Sequence, residues 1–173
     1  MTASKELQTP NPKQILVITN ILPRLHLHVC TLNYQVMNEK TITILSKGFI
    51  LLSAFSLLSV SLMAFFAPQS VMDLVQVKLG NSDAFSSIRG VYGGVGLTIV
   101  IFLLQLLWTD INKALGFLSL LWGLYALSRL ITIGVEGPLG SFGKQWLFIE
   151  LAFFITAQFL LVLRKRKEKL VAS

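Results

Sequence analysis

Four apolar runs organise the chain: residues 48–67, 91–108, 114–133 and 145–163. A hydrocarbon layer about 30 Å thick needs roughly 20 helical residues at about 1.5 Å each, so each run predicts a membrane-spanning helix. The first two runs are free of charge; Pro68 closes the first, and Thr109 and Asp110 end the second. The third contains Arg129 and the fourth Glu150.

The connections predict how these spans are arranged. Residues 110–113 and 134–144 are short, and the second loop holds four glycines and Pro138. Tight loops make consecutive helices antiparallel neighbours. Residues 69–89 have room for a short helix along the outer interface, with Val71, Leu74, Val75 and Leu79 at near-helical spacing before Gly80 and Asn81 break it. Residues 1–36 are mixed in polarity, with Pro10, Pro12 and Pro23, and their one apolar run, Ile15 to Ile18, is too brief to span. They do not read as a secretory signal. Met37-Asn38-Glu39-Lys40 looks like a chain start, so the segment before it is expected to be disordered or an upstream extension.

Composition agrees with lipid as a solvent: 54% of the 173 residues are hydrophobic and only 13% charged, against about a quarter charged in soluble domains. The net charge of +7 arises largely from Arg164, Lys165, Arg166, Lys167 and Lys169, directly after the fourth run. A basic segment in that place is a cytoplasmic anchor at an anionic leaflet, and no nucleic-acid partner is expected. Lys40, Lys47, Lys113 and the basic tail fall on one side of the spans, and Lys78, Arg89 and Lys144 on the other, with Arg129 just inside. The first side is therefore expected to be cytoplasmic. The lone Cys30 can form no internal disulfide.

Candidate chemistry is sparse. His26, His28 and Cys30 alternate at period two, which on a strand would align three ligand types. A structural metal site wants four donors and no second cluster exists, so no metal or other cofactor is expected. Gly90, Gly93, Gly94 and Gly96 stand at the mouth of the second span, with neither a preceding strand nor a following Lys-Ser or Lys-Thr. That pattern predicts helix packing rather than a phosphate loop. Gly90, Gly94, Thr98 and Gln105 form one small, weakly polar stripe on a regular helix.

Depth singles out another set. Arg89, Arg129 and Glu150 all come to the outer level, and the hairpin of the third and fourth spans places Arg129 opposite Glu150. An ionisable side chain inside a span costs at least about 2.5 kcal/mol unless it is paired or faces the interior. Asp83, Tyr92, Tyr125 and Glu136 are candidates to complete the network. The cluster reads either as a structural ion pair that sets helix register or as an outer pocket for an anionic or polar headgroup. No catalytic set appears: no histidine lies in the spans, and no serine or cysteine has a base at a recognisable spacing. The uninterrupted spans and the absence of internal repeats argue against a transporter.

Three segments carry a resemblance: Asn81-Ser82-Asp83-Ala84-Phe85-Ser86-Ser87-Ile88-Arg89-Gly90-Val91-Tyr92-Gly93-Gly94, then Gly123-Leu124-Tyr125-Ala126-Leu127-Ser128-Arg129-Leu130, then Gly137-Pro138. Over about residues 42–163 the chain resembles the bacterial family named domain of unknown function 4345. The resemblance implies a small four-helix inner-membrane protein without an established activity; residues 1–36 lie outside its pattern.

The expected fold class is an all-α membrane protein, with four transmembrane helices in an antiparallel bundle and the N and C termini cytoplasmic. Its expected parts are residues 1–36, a transmembrane domain over 37–163 and a basic tail over 164–173. The expected role is a non-enzymatic packing, interaction or small-ligand module in the inner membrane, with the lipid bilayer, a bound lipid or small anion, or a membrane protein as partner. The alternative is a small transporter or membrane-embedded enzyme using Glu150, Arg129 and Arg89.

Overall fold

The computed structural model describes residues 39–172, and every regular element among them is helical. They are α1 (Glu39–Phe66), α2 (Pro68–Asp73), α3 (Ser82–Ile88), a π-helical turn (Arg89–Gly94), α4 (Val95–Thr109), α5 (Ile111–Val135) and α6 (Ser141–Ala172). The His26, His28 and Cys30 reading and the expectation for residues 1–36 lie outside the described residues.

Among the described residues, four helices are long and apolar enough to cross a membrane: Glu39–Phe66, Ser82–Thr109, Ile111–Val135 and Ser141–Lys169. Each starts before the apolar run that predicted it. At the start of α1, for example, Ile42 and Ser46 are buried on one face while Lys40, Thr41 and Leu45 stay exposed. An amphipathic turn of this kind extends the helix beyond its continuous apolar stretch.

Helix ends follow local rules. Pro68 sits at the first position of α2, where a missing N–H costs nothing. Asn81 caps α3 by accepting the Ala84 N–H at 2.8 Å, and Asp83 adds negative charge to the first turn. Asp110 caps α5 by accepting from the Lys113 N–H at 3.0 Å. At the other end of α5, Gly137 adopts φ +105° and donates to the Thr132 carbonyl, and Pro138 forbids continuation. The helix predicted from Val71, Leu74, Val75 and Leu79 is shorter than their spacing suggests. α2 stops at Asp73, leaving Leu74 and Val75 exposed, while Val71, Met72 and Leu79 pack against Ala64 and Ile88. Gln69 secures the loop by donating to Asp73 and the Val77 carbonyl and accepting from the Leu79 N–H.

The α5–α6 pairing is the most extensive, and α1 packs on α4, α5 and α6. The core joins Ile50, Leu103, Leu115, Leu118 and Ala157, all fully buried. A ring ladder crosses it, Phe49 to Phe153 at 5.5 Å and Phe153 to Trp122 at 4.9 Å. Buried Ser46 and Ser61 each satisfy their hydroxyls on the carbonyl four residues back, Ile42 and Leu57, at 2.7 Å. They therefore act as small residues that let helices close in. Outward, Phe55, Phe66, Trp108, Phe148 and Phe159 are exposed along the helices. An apolar belt of that extent fits lipid contact and not water.

Candidate functional site

At one end of the helices, Arg129 of α5 donates from Nε to Glu150 Oε2 of α6 at 2.7 Å. Glu150 is only 2% exposed, and the Arg129 side chain 23%. Charge and hydrogen bond coincide, the geometry that offsets desolvation best in a low-dielectric setting. Tyr125, one turn before Arg129, has its ring centroid 6.2 Å from that of Trp122. The structure thus brings Glu150 and Arg129 together, while Tyr92 and Tyr125 are exposed and make no side-chain hydrogen bond to the pair.

Arg89 is directed elsewhere. Its Nε donates at 3.1 Å to the carbonyl of Phe65, in the last turn of α1. The last carbonyls of a helix lack intrahelical partners and carry the negative end of its dipole, so a guanidinium there is a helix cap. Asp83 and Glu136 are exposed and make no side-chain bond to the Arg129–Glu150 pair.

The π-helical turn explains the glycines. Val95 N–H reaches the Gly90 carbonyl five residues back, and this wide turn rotates the residues around it relative to a regular helix. Gly90, Gly94, Thr98 and Gln105 consequently do not form the contact stripe that a 3.6-residue period predicts. A methyl group at Gly90 would meet nothing within 4 Å, and one at Gly94 only the segment's own Arg89 carbonyl at 3.9 Å. Close approach occurs at Gly93, where a methyl would stand 2.8 Å from Phe65 Cδ2, and at Gly96, 3.2 Å from Ser61 Cβ. Arg89 and Gly93 therefore address the same residue of α1, one through its backbone and one through its ring.

The opposite end holds a polar clasp that the sequence reading missed. Arg164 of α6 donates to Asn112 Oδ1 of α5 at 2.8 Å and to Thr43 Oγ1 of α1 at 3.0 Å. Asn112 donates in turn to Glu168 at 2.6 Å, and Arg164 reaches the same carboxylate at 3.8 Å. With Arg129–Glu150 at the other end, these bonds establish that α5 and α6 run antiparallel. Nearby, Lys47 sits 5.3 Å over the Trp108 ring. The only available signal was that Arg164 opens the basic run, next to the apolar boundary.

Two buried polar atoms have no hydrogen-bond partner among the described residues, Ser53 Oγ and Trp122 Nε1. No group of three or more His, Cys, Asp or Glu in a metal-binding arrangement occurs among those residues. What the assembled side chains do chemically is hold helices: a cap on α1, an ion pair across α5 and α6, and a clasp joining α1, α5 and α6.

No curated protein and no solved structure matches the chain. The family described as domain of unknown function (DUF4345) matches residues 45–161, which include the Arg89 cap, the π-helical turn and the Arg129–Glu150 pair. A match over that share of its length makes this chain a member of the DUF4345 family.

Proposed function

We propose that the protein is a non-enzymatic helix-packing and interaction module, an antiparallel four-span bundle of a bacterial inner membrane with both termini cytoplasmic. The observation that carries this reading is the use of its outer-level arginines: Arg89 is bonded to a helix terminus and Arg129 to Glu150. The two guanidinium groups thus bond to different partners, one on α1 and one on α6. The orientation rests on the excess of Lys and Arg at the Arg164 end, which prefers the cytoplasmic side.

A thermodynamic cycle on the full chain in detergent tests it. Glu150→Gln or Arg129→Gln alone leaves one buried charge unpaired and is expected to cost about 3–5 kcal/mol, with the double variant recovering much of the loss. Single variants as stable as the parent, combined with loss of a co-purifying anion in native mass spectrometry, would replace this reading with ligand binding.

A second reading, a binder of a small polar molecule within the bundle, is favoured by the orphaned Ser53 hydroxyl and Trp122 indole N–H. Native mass spectrometry of Trp122→Phe against the parent separates the two. A small molecule held by the parent and lost from the variant supports it.

A further inference from the structure

The outer face of the α5–α6 hairpin carries a groove of about 540 Å³. Gly116, Ser119 and Gly123 line it from α5, and Leu151, Phe154 and Gln158 from α6. On both helices these positions are spaced three and then four residues apart, the repeat against which another helix seats knobs into holes. Leu120, Leu124, Leu127 and Leu130 also line the α5 wall, and the small residues among them leave room for close approach at Gly116, where a methyl group would meet nothing within 4 Å.

Two polar groups distinguish this face from a plain lipid contact. Ser119 is only 4% exposed and lines the groove; its hydroxyl oxygen is not sealed off like the Ser53 Oγ and Trp122 Nε1 atoms, and it makes no hydrogen bond among the described residues. Gln158 is exposed there, and its amide likewise has no partner among the described residues. Gln158 lies six residues before Arg164, so about 9 Å inside the basic boundary, where hydrocarbon offers neither donor nor acceptor. The occupant must therefore bring hydrogen-bonding groups at that depth, which an acyl chain lacks.

We propose that the occupant is α6 of a second copy of this chain, in a two-fold dimer that pairs Gln158 with its counterpart. Copies inserted in one orientation are related by an axis along the membrane normal, so the same residue meets itself at the same depth. A primary amide is self-complementary, one N–H and one carbonyl from each copy closing two reciprocal bonds. In the same arrangement each α6 enters the other copy's groove and covers Ser119. The proposal rests on the packing-module reading but is tested apart from it, since the Arg129–Glu150 cycle reports on the fold of one copy.

The test is single-molecule photobleaching of the labelled full chain across a dilution series in liposomes of phosphatidylethanolamine and phosphatidylglycerol. The parent is expected to dimerise reversibly, and Gln158→Leu to weaken association by roughly threefold to tenfold. Gly116→Leu fills the groove from an unobstructed position and is expected to weaken it further, with the thermal stability of each copy unchanged. Disulfide trapping adds geometry: on a Cys30→Ser background, Gln158→Cys should cross-link rapidly, whereas Ile101→Cys on exposed α4 should not. A chain monomeric at every density overturns the proposal. So does a dimer indifferent to both groove variants, or a different membrane protein found seated in the groove.

Discussion

Arg89 and Gly93 both act on Phe65, the guanidinium bonding its carbonyl at 3.1 Å and the glycine making room for its ring. The π-helical turn that contains both residues binds the end of α1 to the start of the next span. The segment from Asn81 to Gly93 is a structural joint: Asn81 caps α3, Arg89 caps α1, and Gly93 admits α1 side chains.

Loss of the Arg89 cap should cost stability and nothing else. Arg89→Ala is expected to lower unfolding free energy in detergent by about 1 kcal/mol, the scale of one charged bond to exposed helix carbonyls. Any ligand found by native mass spectrometry should stay bound.

The glycines should separate cleanly. Gly93→Ala forces a methyl against the Phe65 ring and is expected to destabilise by about 1–3 kcal/mol, relieved by Phe65→Leu in the same chain. Gly90→Ala meets open space and gains helix propensity, so thermal unfolding should be unchanged or slightly raised. Equal losses at both positions would contradict the register of the π-helical turn.

Asn112→Ala removes both bonds that link α5 to Arg164 and Glu168. A loss of about 1–2 kcal/mol is expected, and hydrogen exchange should rise at the Arg164 end of α6 while the Arg129–Glu150 end stays protected.

Asp110 provides a pH dependence with a definite sign. The Lys113 backbone N–H, then the Lys113 ammonium at 3.2 Å, hold the Asp110 carboxyl below its usual range. A carboxyl depressed in the folded state contributes stability that is complete above its unfolded value near pH 4 and is lost as pH falls through the folded value. Thermal unfolding between pH 5 and about pH 2.5 should therefore decline less in Asp110→Asn, which keeps the cap without the charge.

Much of this was legible in one sequence. Arg129 and Glu150 could be paired in advance because loop length and helical rise alone place them at equal depth in the hairpin. The Arg164 clasp was not legible, because Thr43 and Asn112 are ordinary polar residues until distant segments meet. Arg89 was expected beside Arg129 and Glu150, yet its Nε bonds the Phe65 carbonyl, because an unpaired carbonyl at the end of α1 leaves no trace in side-chain chemistry.

Sequence alone determined that the described residues hold four helices long and apolar enough to span a membrane, and that Arg129 and Glu150 lie within the apolar part of the last two. Those are properties of single segments in contact with a solvent. Tertiary structure decided which side chains meet. One wide turn at Arg89–Gly94 rotates the faces of the second span, so Gly93 and Gly96, not Gly90 and Gly94, touch α1. Periodicity assumes a constant 3.6 residues per turn, and the π-helical turn breaks that assumption where the helices pack most closely.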